Sequence, residues 1–441
     1  MAKMALIFCA AFFIVGYLCE PKKINPVTIF FGEWTVILFL ANLNLYSLIP
    51  ASNYIYGYIL VGCICFATGF YLIRIQPFRI VFYTNRKKIG NTFSTDLNKK
   101  ILYPIIVITI IFLLIDSVQS IGSLVQGNSL EVIRKYSQEG MQYGSNRFIN
   151  AIRILVTTPM SYIVMPLATV EFFKREKNRF IIFSALIISI LRVIGDGGRS
   201  PLIFLGLCFI LCYFYQNEGR LKRKKLKKAK NKLVIKKKSI IFLCVLLLGI
   251  VLLYQITLSR SGANTIRYTY YYFAMEPIMF EKWALRTDQA GLMGFGRASF
   301  NGVLFPLFYL ISSLFQIGYP KGWRQIYDII ELVGTDWQVI TTTGLSANSY
   351  ASVFWNLYLD GRIFGIIVGM FIYGMFVANI YQKVINLKNE KNLSIFCLTM
   401  LGLFYSFQFI IFENIYYSLA FLALEFLVFK NGNRNKSNFV K

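Results

Sequence analysis

Long apolar runs separated by short polar stretches dominate the pattern of this chain. An α-helix rises about 1.5 Å per residue and needs roughly 20 residues to cross the hydrocarbon core of a bilayer. The pattern therefore predicts an all-α, polytopic bundle of about eleven transmembrane helices. The predicted segments are Met4–Leu18, Val27–Ile49, Tyr54–Ile73, Ile101–Ile121, Ile154–Phe172, Phe180–Ile194, Pro201–Tyr215, Ile240–Leu258, Ile363–Tyr381, Leu393–Phe412 and Ile415–Phe429.

Basic residues collect in alternate gaps between these segments, with 32 of the 47 Lys and Arg in six clusters. Short cytoplasmic loops are enriched in Lys and Arg, so the clustered side is predicted to be cytoplasmic. With eleven crossings, the C-terminus is expected inside and the N-terminus outside. The first segment is predicted to be a retained helix, because no small-x-small cleavage site follows it. The clusters are Lys22–Lys23, Arg74–Lys100, Lys174–Arg179, Arg220–Lys238, Lys383–Lys391 and Lys430–Lys441.

The polar stretches divide the chain into three regions. Residues 1–258 hold the first eight helices, 259–362 form one long extracytoplasmic loop of short helices, and 363–441 hold the last three helices and a cytoplasmic tail. Inside the loop, Val303–Ile317 is apolar but short and contains Pro306. If this segment crossed the membrane, the basic cluster Lys383–Lys391 would lie on the outer side. A re-entrant or interfacial segment that lines a cavity is therefore predicted instead.

Composition excludes several classes of function. The 441 residues are 56% hydrophobic and 15% charged, whereas soluble domains average about 25% charged. The net charge of +27 does not indicate nucleic acid, because apolar runs separate the basic clusters. Even the densest cluster, Arg220–Lys238, is typical of an anchor on an anionic leaflet. The chain contains no His and its eight Cys lie in or beside apolar runs, so no metal or cofactor is expected.

The first candidate for chemistry is a glycine-rich turn between two short predicted helices. Gly197 and Gly198 let the backbone approach a ligand closely, and Pro201 suits the first turn of the next helix. Arg199 and the free N–H groups at that helix start would form an anion site. The alternative is a plain tight turn in which Arg199 snorkels to the interface or pairs with Asp196.

The second candidate follows the eighth predicted helix. Its arginines, which suit bidentate contacts with phosphate, are Arg260, Arg267 and Arg286. Its tyrosines, which suit stacking on sugar faces at a membrane interface, are Tyr268, Tyr270, Tyr271 and Tyr272. Its acids include Glu276 and Asp288. The alternative is an aromatic belt with solvated charges.

The third candidate leads into the ninth predicted helix and contains Asn348, Trp355, Tyr358, Asp360 and Gly361. A carboxylate at a buried cleft can act as a general base. An acid at a helix entrance can equally be a simple N-cap. Both interpretations of Asp360 stay open.

These features resemble the oligosaccharide repeat-unit polymerases of bacterial surface polysaccharides, the Wzy-type O-antigen and capsule polymerases. The resemblance rests on Gly197-Gly198-Arg199-Ser200-Pro201-Leu202, on the long outer loop, and on the stretch Asn348…Tyr358-Leu359-Asp360-Gly361…Gly365. The layout of about eleven helices agrees over nearly the whole chain. The usual family form has an aromatic residue between Asp and Gly in the last motif, whereas Gly361 follows Asp360 directly here.

The resemblance implies a metal-independent glycosyltransferase of a bacterial cell membrane. Such an enzyme moves a growing glycan from undecaprenyl diphosphate onto a newly flipped lipid-linked repeat unit, on the outer face of the membrane. Lipid-linked oligosaccharide and membrane lipid are the expected partners, and a chain-length regulator protein is a candidate partner. An O-antigen ligase-like transferase and a lipid-linked oligosaccharide flippase are the alternatives.

The resemblance also implies roles for individual residues. Diphosphate ligands would come from the glycine-rich turn and the arginines, namely Gly197, Gly198, Arg199, Arg260, Arg267 and Arg286. Without His, the base for the acceptor hydroxyl would be a carboxylate, with Asp360, Asp288, Asp336 and Glu276 as equal candidates. Sugar platforms would be Tyr268, Tyr270, Tyr271, Tyr272 and Trp355.

Overall fold

The computed structural model describes residues 1–75, 96–128, 147–174, 176–196, 200–216, 265–348, 351–387 and 389–430. Helices account for nearly all regular structure in these ranges, and the predicted all-α class is confirmed. The helices are α1 Ala2–Cys19, α2 Pro26–Leu43, α3 Asn53–Arg74, α4 Lys99–Val125, α5 Arg147–Ile152, α6 Thr158–Phe173, α7 Arg179–Asp196, α8 Ser200–Gln216, α9 Thr265–Ala274, α10 Glu276–Gln289, α11 Asn301–Phe315, α12 Lys321–Thr335, α13 Ser352–Leu387, α14 Glu390–Phe404 and α15 Ile415–Phe426.

Short irregular elements join some of these helices. A 3₁₀ turn covers Leu45–Ser47, and a π-helical turn, Arg153–Thr157, connects α5 to α6. The strands of the described ranges are β1 Gln338–Val339 and β2 Ser346–Ala347, which pair in antiparallel orientation.

Six of the described helical stretches are long and apolar enough to cross a membrane. They are α1 to α4, the continuous stretch Ile149–Phe173 and α13, while α8, α11 and α15 are apolar but shorter. These helices indicate a membrane protein, as the composition predicts. The predicted segment Ile240–Leu258 lies outside the described residues.

The start of α2 follows directly from its sequence, whereas its end does not. Asn25 accepts a hydrogen bond from the Thr28 amide (3.0 Å), and the Thr28 hydroxyl accepts one from the Asn25 amide (2.9 Å), with Pro26 as the first helical residue. The helix ends at Leu43, six residues before the predicted Ile49, so that boundary was wrong. Asn44 ends it because this residue takes a left-handed conformation (φ 47°).

The tenth predicted segment, Leu393–Phe412, is also too long, because α14 ends at Phe404. The chain then forms turns up to Asn414, whose side chain caps α15. Tertiary hydrogen bonds replace helical ones in this stretch. The Val353 amide donates to the Ser406 carbonyl (2.8 Å), and the Ile410 amide donates to Asn356 Oδ1 (3.1 Å).

Helices α3 and α13 cross at backbone contact distance. A Cβ on Gly69 would lie 2.1 Å from the Phe371 carbonyl oxygen, and one on Gly374 would lie 2.3 Å from the Phe66 carbonyl oxygen. Small residues allow such close approach between helices in membranes, where packing rather than hydrophobicity drives association.

The long helix α13 contains a hairpin. In a straight helix, Leu357 and Gly369 would be separated by about 18 Å. Instead, a Cβ on Gly369 would lie 2.2 Å from Leu357 Cδ2, and one on Gly365 would lie 2.0 Å from the Leu357 carbonyl oxygen. The reversal occurs at Gly361 (φ −166°, ψ 29°) and Arg362 (φ 54°, ψ −141°). We call residues 352–360 the fold-back, since they pack against residues 363–387.

The segment predicted to be re-entrant, Val303–Ile317, forms helix α11, with Pro306 inside it. Phe308 of α11 packs on Trp323 of α12 with ring centroids 5.0 Å apart, whereas Leu310 and Leu314 stay exposed. Helix α11 also packs against α15. The re-entrant placement of α11 stays a prediction.

The segments that connect the helices lie in two groups, one at each end of the bundle. At one end, Arg74 pairs with Glu20 (2.9 Å) and Lys391 pairs with Glu425 (3.1 Å). At the other end, the α2–α3 connection is covered by the segment 265–348. There the Ser52 amide donates to Glu281 Oε2 (2.9 Å). The segment 265–348 therefore packs on this end of the bundle.

Candidate functional site

A polar group lies inside the bundle where α2 meets the turns after α14. The Trp34 Nε1–H donates to Ser406 Oγ (2.9 Å), and the Ser406 hydroxyl donates to Glu33 Oε2 (2.9 Å). Glu33 Oε1 is shielded from solvent and has no hydrogen-bond partner among the described residues. An acid in an apolar helix is costly and marks a candidate functional position.

A second carboxyl, Glu276 at the start of α10, lies near Glu33. Glu276 is only 1% exposed, and neither of its carboxyl oxygens has a hydrogen-bond partner within the described residues. Burial raises the pKa of Glu276 well above its ordinary value. The two acids are close enough for the charge of Glu276 to act on Glu33.

The Tyr373 hydroxyl of α13 completes this group. Tyr373 is 4% exposed, and its hydroxyl has no partner among the described residues. The charge of Glu33 acts on Tyr373, so the two side chains are neighbours. Buried polar groups are normally hydrogen-bonded, so several unpartnered ones together indicate a functional site. We call Glu33, Glu276, Tyr373 and Ser406 the carboxyl centre.

One buried arginine, Arg153, and one partly buried arginine, Arg192, lie where α6 meets α4 and α7. Arg153 in the π-helical turn forms an ion pair with Asp116 of α4, and both are at most 9% exposed. Arg192 of α7 donates to Ser161 Oγ (2.7 Å), and its guanidinium lies 5.4 Å from the centre of the Tyr162 ring.

The Arg153–Asp116 pair lies next to the start of the predicted glycine-rich turn. A Cβ on Gly195 would lie 3.6 Å from Asp116 Cβ, and Ser120 Oγ donates to the Gly195 carbonyl (3.0 Å). Gly197, Gly198 and Arg199 themselves lie outside the described residues, as does Arg260.

Three of the four predicted bases are already engaged. The Asp360 carboxylate accepts hydrogen bonds from the backbone amides of Ala298 (2.9 Å) and Ser299 (2.8 Å). Asp288 pairs with Arg362 (2.9 Å) and also accepts from the Tyr358 hydroxyl (2.9 Å). These contacts fix the hairpin of α13 to the segment before α11.

The third engaged acid, Asp336, forms an ion pair with Arg286 and accepts a hydrogen bond from Gln338 Nε2 (3.2 Å). Both members of this pair are more than a third exposed. Glu276 is thus the predicted base that is buried and has no hydrogen bond from the described residues.

The predicted phosphate ligands in this region contact aromatic rings. The Arg286 guanidinium lies 5.2 Å from the Trp283 ring centre. Arg267 Nε donates to the Tyr271 hydroxyl (3.1 Å). Within the described residues, neither arginine forms a hydrogen bond or an ion pair with the carboxyl centre.

The predicted sugar platforms divide into exposed and buried rings. Tyr268 and Tyr272 are 47% and 41% exposed, so each keeps a surface that a ligand can reach. Tyr270 and Tyr271 are buried; the Tyr270 hydroxyl donates to the Leu40 carbonyl of α2, and the Tyr271 hydroxyl donates to the Tyr46 carbonyl in the α2–α3 connection. Trp355 is buried in the fold-back and donates to Thr287 Oγ1 (3.2 Å). The ring faces of these three residues therefore serve packing.

Sequence reasoning did not select Glu33, Tyr373 and Ser406. The signal for Glu33 is present in the sequence, as the acid inside the apolar run Val27–Ile49. No comparable signal exists for Ser406 or Tyr373, since hydroxyl residues are common in membrane helices. Ser406 reaches Glu33 only because the fold brings the turns after α14 beside α2.

Comparison of the chain with protein-family models, curated proteins and solved structures gives no match in any of the three. Within the described ranges, no three acids or cysteines are grouped so as to hold a metal ion. The side chains of the site itself therefore define the chemistry that it can perform. A buried carboxyl with a raised pKa binds a proton more tightly than an exposed one, and arginines can stabilise a phosphate leaving group.

Proposed function

We propose that this protein polymerises undecaprenyl-diphosphate-linked oligosaccharide repeat units into a surface polysaccharide. It would act as a metal-independent glycosyltransferase on the outer face of a bacterial cytoplasmic membrane. In this proposal eleven helices cross the membrane, with the N-terminus outside and the C-terminus in the cytoplasm. The observation that carries the proposal is Glu276, a buried acid that the long segment 265–348 contributes beside an acid of the bundle.

The reaction needs a proton acceptor and a means to stabilise a leaving diphosphate. The acceptor hydroxyl loses its proton to a carboxylate, and its oxygen forms a bond to the anomeric carbon of the donor glycan. The bond from that carbon to the diphosphate oxygen breaks, and the diphosphate leaves with the electron pair. A carboxyl whose pKa is raised by burial is a stronger base than an exposed one and can take up this proton without His or metal.

The leaving diphosphate would be stabilised by arginines near the glycine-rich turn. Arg199 is the first candidate, as the resemblance implies. Arg153 and Arg192 are additional cations on the same side of the bundle interior. Charge-assisted hydrogen bonds from guanidinium groups act on the developing negative charge without a metal ion.

The proposal is tested by gel profiles of surface glycan and lipid-linked oligosaccharide from cells lacking this protein. We expect single lipid-linked repeat units and no ladder, with rescue by the wild-type protein and no rescue by Arg199→Ala. Long lipid-linked polymer that never reaches its final anchor would instead indicate a ligase. A normal ladder in the deleted cells would reject all three functions.

A lipid-linked oligosaccharide transporter is the second candidate, and two observations favour it. Glu33, Asp116, Arg153 and Arg192 are charged residues of apolar helical stretches. The broken helix α13 also has the form that transporters use to build a site inside the bundle. In the same deletion experiment a transporter predicts repeat units trapped on the cytoplasmic side of the membrane.

A further inference from the structure

We propose that the cleft between α13, α14 and α15 binds the phosphate headgroup of an anionic membrane phospholipid. The cleft lies at the end of the bundle where Lys391 pairs with Glu425, which is the end that the basic clusters predict to be cytoplasmic. Helices α13 and α15 both pack on α14, and a cavity of about 230 Å³ lies between them. The proposal does not depend on the proposed enzymatic function.

The size of the cavity suits a headgroup rather than a whole ligand. A water molecule takes about 30 Å³ of the liquid, so a cavity of about 230 Å³ has room for roughly seven of them. Sites that enclose a drug-sized molecule usually measure about 300–1,000 Å³. The cavity can therefore hold a phosphate group and the first part of a lipid, while the acyl chains lie along the outside of the helices.

Lys383 of α13 provides the positive charge of the lining. Within the described residues Lys383 forms no ion pair, whereas the acid of the lining, Glu425, already has one. The Glu425 carboxylate lies 3.1 Å from the Lys391 ammonium. Two lysines and one acid leave a net positive charge at the cleft. A phosphate is the counter-ion that this charge arrangement favours.

Two asparagine side chains add hydrogen-bond donors to the lining. Asn379 lies one helical turn before Lys383, so the two side chains share a face of α13. The Asn379 amide is partly exposed and forms no hydrogen bond within the described chain. Asn392 lies in the first turn of α14, where the helix dipole favours an anion. The acid of that turn, Glu390, is paired with Lys174.

Apolar side chains complete the lining and favour a lipid over a free phosphate ion. Phe376 and Ile380 come from α13, Ile395 from α14 and Phe421 from α15. The rings of Phe376 and Phe421 pack together with centroids 5.6 Å apart. The apolar part of a lipid gains free energy by covering such a surface, whereas a free ion does not. Basic pockets between membrane helices on the cytoplasmic side bind anionic headgroups in this way.

The proposal is tested with the full-length protein purified in detergent, by native mass spectrometry of its complexes with phosphatidylglycerol. Phosphatidylcholine, whose headgroup has no net charge, and inorganic phosphate are the comparison ligands. We expect phosphatidylglycerol to bind more tightly than phosphatidylcholine, and inorganic phosphate not to displace it. A basic residue near an anionic membrane surface contributes about 1 kcal/mol, so Lys383→Gln should weaken phosphatidylglycerol binding about fivefold.

Two further variants separate this site from general attraction between lysines and anionic lipid. Lys100→Gln is the matched control, because Lys100 is an exposed lysine in the first turn of α4, and it should leave the affinity unchanged. Glu425→Gln removes the negative charge of the lining and should tighten binding.

Three results would overturn the proposal: equal binding of phosphatidylcholine, displacement by inorganic phosphate, or equal losses in Lys383→Gln and Lys100→Gln. These readouts do not depend on glycan synthesis, so a failure of the lipid site and a failure of the proposed function are distinguishable.

Discussion

The hydroxyl of Ser406 donates a 2.9 Å hydrogen bond to Oε2 of Glu33, across 373 positions of the sequence. This contact joins the turns after α14 to the middle of α2. It also orients one of two acids that the described residues leave without a counter-ion. The proposed function depends on this arrangement. Ser406 bonds to Glu33, and Glu276 beside it has no hydrogen bond from the described residues.

Removing the Ser406 hydroxyl is expected to destabilise the protein. Ser406→Ala leaves both the Trp34 N–H and a Glu33 oxygen unpaired, and each unpaired buried group costs about 1–3 kcal/mol. The unfolding midpoint in detergent measures the effect. Ser394→Ala is the matched control, because the Ser394 hydroxyl is buried without a partner among the described residues. Equal losses in the two variants would contradict the role given to Ser406.

Adding a methyl group at the α3–α13 crossing should disturb the fold. Gly69→Ala would place Cβ 2.1 Å from the Phe371 carbonyl oxygen, so the helices must separate. Overpacking of this kind costs on the order of 1–3 kcal/mol, and we expect a lower unfolding midpoint. Gly57→Ala in the same helix meets nothing within 4 Å and should be tolerated. A stable Gly69→Ala protein would show that the crossing is not as close as described.

Asp360 should behave as a structural residue rather than as a base. Its carboxylate accepts from the amides of Ala298 and Ser299, and Asp360→Asn replaces one accepting oxygen by an amide NH2 group, which only donates. We expect a stability loss of about 1–3 kcal/mol. Polymer yield per folded molecule should stay near the wild-type level when membrane protein is quantified in parallel. Loss of polymer at normal stability would return Asp360 to the list of bases.

The raised pKa of Glu276 predicts a pH-dependent stability. The unfolded protein ionises this acid near pH ~4.3, whereas the folded protein keeps the proton to higher pH. Stability from this group is thus fully present below that pH and is lost as pH rises toward the folded pKa.

The variant Glu276→Gln should lack this pH-dependent part of the stability, because Gln does not ionise. The unfolding midpoint of the wild type, relative to the variant, should fall as pH rises above about 4.3. Unfolding curves of both proteins over a pH series measure the difference. A constant difference across the series would mean that the pKa of Glu276 is the same in the folded and unfolded protein.

The helices were largely predictable, because apolar length and capping residues act locally. Asn25 and Pro26 specify the start of α2 in this way. The hairpin of α13 was not predictable, since Gly361 and Arg362 interrupt an apolar run without a proline. Packing of Leu357 on Gly365 and Gly369 determines the reversal, and those contacts are tertiary.

The site was predictable only in part. Glu276 was one of four equal candidates, because the partners of the other three are distant in sequence. Arg362 is 74 positions from Asp288, and Arg286 is 50 positions from Asp336. Only the fold shows which acids these arginines neutralise. Glu33 was not among the predicted residues, although an acid inside an apolar run is a signal that the sequence contains.

The most direct test of the central claim is the glycan ladder made by cells that carry Glu276→Gln as their only copy. The account predicts single lipid-linked repeat units without a ladder, at a normal amount of membrane-inserted protein. Glu331→Gln, an exposed acid of α12, should give the wild-type ladder. A wild-type ladder from Glu276→Gln would contradict the role of Glu276 as the proton acceptor.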